Sequence, residues 1–308
     1  MLLVTGITGH SGRYFLQELI NNNYEGKIRC VVRKSSDTSL IDGSGLNIEK
    51  IVGDLNNQEF LDESMIGVDT VMHIYNIHHS PMIVQAAIKN DVKRVILVHT
   101  TGIYSKFKDA SQEYKDIEKK VAELTNDSHC QTVITIIRPT MIYGDLCDRN
   151  ISKFIKMVDK LRIMPVINRG SSLLQPVNAR DLGRAYFDIL LFQDTTAGKA
   201  YNLSGERPIT MLEMFKLISD NLGKKTTFVS VPLSLGVFMA KCLKVCTLGK
   251  VDFIEKVQRM GEDRSFSHDV AARDFGYNPM PFKDGIKNEV QQYLNGTMVE
   301  KLRVREKP

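Results

Sequence analysis

The stretch Val4-Thr5-Gly6-Ile7-Thr8-Gly9-His10-Ser11-Gly12 carries the clearest chemistry in the chain. Its glycines are spaced GxxGxxG. Gly6 permits a tight turn, and Gly9 lets the main chain approach a diphosphate with no Cβ in the way. Gly12 lets the helix that follows pack closely on a sheet. Amides at a helix N-terminus face anions. An apolar run precedes the turn and a helical pattern follows it, so the expected ligand is a dinucleotide diphosphate, with Thr8, His10 and Ser11 of the same turn beside it.

A second feature refines that ligand. The next apolar strand ends in Val32-Arg33-Lys34-Ser35-Ser36, where NAD-binding proteins usually place an acid for the adenine ribose. A cation there attracts a 2′-phosphate, and the planar fork of Arg33 matches one, so NADP is favoured over NAD. Gly53-Asp54-Leu55 follows the third strand, where the Asp54 carboxylate can accept a hydrogen bond from the adenine amine.

These residues need a scaffold, and the periodicity supplies one. Strands are predicted at Leu2–Thr5, Lys27–Val32, Ile48–Val52, Val71–Ile74, Val95–Val98 and Val133–Ile137. Helical patterns at Gly12–Asn21, Gln58–Met65, Ile83–Asn90 and Tyr114–Thr125 alternate with them. Apolar strands alternating with helices predict an α/β, doubly wound parallel Rossmann sheet covered on both faces. After about residue 150 the helical patterns Ser152–Leu161, Asp181–Phe192, Met211–Leu222, Leu233–Lys244, Ala271–Phe275 and Lys283–Leu294 dominate. Extended pieces at Ala200–Leu203 and Thr226–Val231 lie among them, and Thr210 with Glu213 forms a capping-box pattern. The expected division is a dinucleotide-binding domain over 1–150, with 172–204 returning to it. A smaller, mostly helical substrate lobe would comprise 151–171 and 205–308.

Composition excludes several classes. A net charge of +5, from 41 basic and 36 acidic residues interspersed along the chain, gives a mixed surface rather than a nucleic-acid groove. Five scattered cysteines with no CxxC pair, and histidines with no HExxH spacing, argue against a metal site and a disulfide framework. A reducing, cytoplasmic setting is expected, without a targeting segment, since apolar strand residues begin at Leu2. The most apolar later stretch, Leu233–Leu248, contains Lys241 and Lys244 and is too short to span a bilayer. It reads as a buried helix, with membrane-surface contact as the alternative.

Later residues add a resemblance. Arg138-Pro139-Thr140-Met141-Ile142-Tyr143-Gly144 matches an RPxxxYG pattern, Val177 to Leu182 a VxxxDL pattern, and Asn202-Leu203-Ser204-Gly205 and Phe266 to Pro279 a substrate lobe. With the TGxxGxxG turn and Gly53-Asp54-Leu55, the chain resembles, over nearly its whole length, the extended short-chain dehydrogenase/reductase family of NAD-dependent epimerases and dehydratases. That family acts mainly on nucleotide sugars, so the resemblance implies hydride transfer on such a substrate or a similar hydroxy or keto compound, with room for a homodimer. It places Leu55, Ile74, Tyr75, Pro139 and Ile142 along the cofactor. It gives Thr100 the role of holding the substrate hydroxyl, Tyr114 that of acid/base, and Arg259 a diphosphate contact.

The family pattern is broken at one place. Tyr114 is followed four residues later by Glu118 instead of the lysine that lowers the phenol's pKa, and Lys119 is rotated about 140° away on a helix. If Lys119 and Glu123 take the family's Lys and Glu positions, Lys115 falls in the Tyr position. Ile74-Tyr75-Asn76 stands where small alanines usually pass the cofactor, and the helix beyond is abbreviated, as in atypical members that sense NADP. The alternative function is therefore a non-catalytic, NADP-binding redox sensor or structural subunit.

Overall fold

The centre of the molecule is built from short aliphatic runs that are buried along their whole length, such as Leu2–Thr5 and Arg94–Val98. The computed structural model describes residues 1–107, 109–128, 130–148 and 150–305, with side chains to residue 296. The first part runs β1 (Leu2–Thr5), α1 (Gly12–Asn21), β2 (Ile28–Val32), α2 (Ser39–Asp42), β3 (Ile48–Val52) and α3 (Gln58–Ser64). It continues with β4 (Thr70–His73), α4 (Ser80–Lys89), β5 (Arg94–Val98), α5 (Ser111–Leu124) and β6 (Val133–Pro139).

Then follow β7 (Ile142–Tyr143), α6 (Ile151–Lys160), β8 (Ile163–Ile167), β9 (Leu173–Leu174), β10 (Val177–Asn178) and α7 (Ala179–Leu191). The chain goes on through α8 (Gln193–Thr196), β11 (Ala200–Leu203), β12 (Ile209–Thr210), α9 (Met211–Asn221) and β13 (Thr227–Val231). It closes with α10 (Leu233–Cys246), α11 (Ile254–Met260), α12 (Asp269–Phe275) and α13 (Phe282–Arg305).

Seven strands make one sheet in the order β11-β6-β5-β4-β1-β2-β3, every pair parallel. This is the doubly wound Rossmann arrangement. Successive side chains point to opposite faces: Leu2 and Val4 join Phe15, Leu16 and Leu19 on one face, and Leu3 joins Val71, Val95 and Leu97 on the other. The chain reverses direction between β1 and β4, which opens a crevice at the carboxyl ends of those strands. Helix α7 lies against α1, where a Cβ on Gly183 would come within 2.5 Å of the Tyr14 main chain.

A separate apolar cluster joins Ile155, Val158, Met164, Met214, Phe215, Ile218, Ile286 and Val290, from α6, β8, α9 and α13. More sheet is present here than the helical periodicity suggested: β8 pairs in parallel with β13 over five residues. Pro165, in the middle of β8, disguised that strand, because proline is tolerated only where a ladder donor is not needed. Thr210 caps α9 by accepting from the Glu213 amide at 3.0 Å, but the other half of the box does not form. Glu213 binds Arg207 at 2.6 Å instead.

The expectation of a buried helix at Leu233–Leu248 is overturned. The helix forms as α10, but only Gly236 and Ala240 are buried. Its inner face rests on Ile167 and Val257, and among the described residues its outer apolar side chains are left exposed.

Candidate functional site

The glycine turn joins β1 to α1 at the crevice. Gly6 has φ of 78°, and a Cβ there would lie 2.8 Å from the Tyr75 amide nitrogen. The Gly9 amide donates to the Gly6 carbonyl at 2.9 Å and closes the turn. A Cβ on Gly12 would sit 2.1 Å from that same carbonyl oxygen, so Gly12 is required by the turn itself; the close helix packing expected of it falls to Gly183. Among the described residues, nothing accepts from the amides of His10, Ser11 and Gly12. Three unused donors at the start of a helix, beside Gly9 whose Cβ would meet the Gly6 carbonyl oxygen at 3.0 Å, fit a dinucleotide diphosphate.

Further along the crevice, the Arg33 guanidinium stands 5.9 Å from the centroid of the half-exposed Tyr75 ring. Tyr75 in turn packs against His79 with ring centroids 5.4 Å apart. Asp54 is held by the amide and side chain of Asn56, at 3.0 and 2.8 Å, which keeps its carboxyl below the usual range. Leu55 and Ile74 are buried beneath these groups, and the Ile74 amide is engaged by the Thr5 carbonyl at 3.0 Å. Sequence reasoning missed His79. Its Nδ1 is buried with no partner among the described residues, and its ring packs against Tyr75. The signal was the His78-His79 pair, set aside as a metal ligand and not weighed as a cofactor contact.

A cavity of about 840 Å³ continues from the turn. One wall carries His10, Thr100, Tyr104 and Ile142, and the other carries Gln175, Arg259, Arg264 and Phe266. Thr100 Oγ1 accepts from the Gly102 amide at 3.0 Å, leaving its hydroxyl proton to donate. Pro139 is buried at the end of β6, its carbonyl accepting from Thr101 Oγ1 at 3.2 Å. Behind His10, Asp145 binds the His10 ring at 3.0 Å, Tyr14 Oη at 2.7 Å and the Arg13 guanidinium. Burial raises the Asp145 carboxyl, but the bonds from His10, Tyr14 and the Cys147 amide outweigh it and hold it well below the usual range.

The far wall carries two arginines, of which Arg259 meets Glu255 at 3.5 Å. Arg264 makes no ion pair among the described residues, and the Nε atoms of Arg259 and Arg264 are both buried without partners. Burial, with the like charge of Arg259, pushes the Arg264 guanidinium down to about 10. The neighbouring acids are engaged elsewhere: Glu262 accepts from Ser105 Oγ and the Lys106 amide, both at 2.7 Å, and Asp263 from the Leu173 amide at 2.8 Å. Arg264 was not singled out in the sequence, since its burial arises from how its segment bridges to Leu174.

Helix α5 corrects the reasoning about Tyr114. Glu118 does not act on the phenol. It receives Arg138 Nε at 2.8 Å, Arg138 Nη2, and His99 Nδ1 at 3.0 Å, and those bonds overcome burial and hold its carboxyl at about 2. Tyr114 packs on His78 with centroids 5.7 Å apart and is not among the residues lining the cavity. Its phenol is raised, first by burial and then by Glu113. Lys115 and Lys119 lie on the exposed face, Lys119 paired with Glu123 at 3.7 Å. His99 Nε2 also meets Ser80 Oγ at 3.0 Å, but Ser80 is fully buried, so this Ser–His–Glu chain ties α4, β5 and α5 together and has no access to a substrate. Among the described residues there is no cluster able to hold a metal, and no helix is long and apolar enough to cross a membrane.

Comparison with known proteins agrees with this geometry. Residues 6–155 match the family model described as NAD(P)H-binding. The chain is 22% identical over 305 residues to the 40 kDa subunit of mitochondrial NADH-ubiquinone oxidoreductase from Neurospora crassa, covering 94% of this chain and 78% of that one. A dTDP-glucose 4,6-dehydratase double mutant from Streptomyces venezuelae, solved with NAD bound, superposes with a TM-score of 0.71 at 20% identity, covering 96% and 97% of the two chains. The triphenylmethane reductase of a Citrobacter species, complexed with NADP(H), gives 0.72 at 21% identity, with 94% and 100% covered. Residues 6–155 accordingly form an NAD(P)H-binding domain, and the chain as a whole is similar to epimerase/dehydratase-like members of the short-chain dehydrogenase/reductase superfamily.

Proposed function

We propose that the protein is an NADP(H)-dependent oxidoreductase or epimerase acting on a hydroxy or keto compound with an anionic head, a nucleotide sugar being the leading substrate class. One observation carries the proposal: a single cavity is lined by His10 of the glycine turn, by Thr100, and by Arg259 and Arg264, the latter without an ion pair among the described residues. Two arginines with spare donors suit a diphosphate, and the volume suits a ligand of nucleotide-sugar size.

The turn amides and Arg33 would hold the dinucleotide, with Tyr75, Asp54 and His79 around its adenosine end and Pro139 and Ile142 beside its nicotinamide. When bound, that cofactor supplies or accepts a hydride at the substrate carbon. Thr100 donates its hydroxyl proton in a hydrogen bond to the reacting oxygen. Tyr114, its phenol raised and so protonated at neutral pH, lies outside the cavity lining and would serve as proton donor in the reducing direction only to a substrate that reaches past that lining. Arg33 favours NADP, since β2 is followed by a cation where NAD-binding proteins usually place an acid for the ribose.

The test is titration with NADPH and NADH, followed by incubation with UDP- and dTDP-sugars, their keto forms and simple quinones. Tighter NADPH binding with turnover or isotope exchange on a diphosphate-bearing substrate supports the proposal; cofactor binding with neither across the panel overturns it.

A second reading has its own support. The residue four beyond Tyr114 is a carboxylate locked by Arg138 and His99, and no lysine reaches that position. A protein that binds the cofactor without chemistry, as a sensor or a structural subunit, needs nothing more. Tyr114→Phe separates the two: retained biological activity supports the non-catalytic role, and loss with cofactor affinity kept supports the enzyme.

A further inference from the structure

The outer face of α10 is the largest feature that the cofactor and substrate sites do not use. Leu235, Phe238, Met239, Leu243 and Val245 all lie on solvent, with Phe238 63% and Val245 74% exposed, and Leu248 just beyond is 89% exposed. At 100° per residue the five helical side chains fall within an arc of about 160°, opposed to the buried Gly236 and Ala240. Lys241 lies just past one edge of that arc, whereas Lys244 falls on the opposite side of the helix and pairs with Asp252 at 2.7 Å. An apolar surface of this kind in water marks a contact site.

The charge around it identifies the occupant. From Asp220 to Asp252 the intervening sequence has no acidic residue, yet it holds Lys224, Lys225, Lys241, Lys244 and Lys250. Among the described residues neither Lys241 nor Lys250 is in an ion pair. A helix of 14 residues is about 21 Å long, too short to cross a bilayer but long enough to lie along one. Aliphatic and aromatic side chains pointing outward, with lysines beside them able to reach headgroups, match a membrane interface. A second copy of the chain fits less well. Two-fold pairing through this arc would bring the Lys241 side chains of both copies, which have no ion pair among the described residues, to one interface.

We propose that the outer face of α10, with Leu248, docks on a lipid surface bearing anionic headgroups. Docking leaves the cofactor turn untouched and sets α11, which leads into Arg259, against the leaflet side of the molecule. The proposal does not depend on which substrate the cavity takes.

The test is flotation of the full chain with vesicles of phosphatidylcholine alone and of phosphatidylcholine with about one third phosphatidylglycerol. The expected result is binding to the mixed vesicles, weakened by added salt, and little binding to the neutral ones. Phe238→Asp with Met239→Asp should reduce binding by about tenfold or more, and Lys241→Glu with Lys250→Glu should abolish the preference for phosphatidylglycerol. Thermal melting and NADPH titration check that each variant is folded. Failure to bind the mixed vesicles, binding unchanged in the Phe238/Met239 variant, or a wild-type dimer that this variant converts to a monomer would each overturn the proposal.

Discussion

Glu118 and Tyr114 share one face of α5, yet they belong to different environments. Glu118 is bound to Arg138 and His99, and Tyr114 faces His78. Replacing Glu118 with Gln leaves a half-buried guanidinium without its counter-charge. We expect a loss on the order of 2–3 kcal/mol at neutral pH, below the full cost of breaking a buried pair because the site is partly exposed. The pH dependence gives the sign. Glu118 is held at about 2 against 4.5 unfolded, so its contribution is complete above the unfolded value and is lost as pH falls towards 2. Chemical denaturation from pH 7 to pH 3 should show the wild type losing its advantage over the variant. Arg33 makes a second prediction at this scale: Arg33→Ala should weaken NADPH about 10- to 100-fold with little change for NADH, measured by titration calorimetry. The glycine turn was legible because backbone geometry selects residue type locally. The Glu118–Arg138 pair was not, since its partners lie on β6 and β5, and only strand pairing brings them together.

Among the elements, the six strands expected in the first half are all present, the central ones, β1 and β5, legible because burial along their whole length leaves a nearly unbroken apolar run. Strand β8 escaped notice because Pro165 interrupts that run, and the exposure of α10 escaped because an apolar helix has the same pattern whether another surface covers it or not. The contact between α1 and α7 depends on a residue with no side chain. Gly183→Ala would place a methyl 2.5 Å from the Tyr14 carbonyl carbon and force the helices apart. The expected cost is about 1–3 kcal/mol, read as a lower urea midpoint with an unchanged slope. Since Tyr14 also binds Asp145 behind His10, the same change should loosen NADPH binding by a smaller factor.

Across the whole molecule, α13 returns from near the end of the chain to the segment after β7. Glu289 on that helix is fully buried; its Oε2 accepts from the Gly144 amide at 2.9 Å, and its Oε1 has no donor among the described residues. Burial, with the Asp148 carboxylate beside it, pushes Glu289 up to about 10. A carboxyl raised in this way stabilises the fold most fully below its unfolded value of 4.5, and that stabilisation is lost as pH rises towards 10. Gln keeps the shape and the bonds of the protonated form. Glu289→Gln should therefore match the wild type near pH 4 and melt at a higher temperature by pH 8, by several degrees in calorimetry. An unchanged difference between those two pH values would refute the assignment.

The near contact between Gly6 and the main chain of Tyr75 has a mechanical outcome. With room for only a hydrogen atom between them, the loop leaving β1 and the loop leaving β4 shift as one block. A nucleotide seated as proposed presses on both: its adenosine half leans on Tyr75 while its phosphates rest on the turn. Occupying the first half with adenosine 2′,5′-bisphosphate should therefore tighten the later capture of nicotinamide mononucleotide, two fragments gripping better in company than alone.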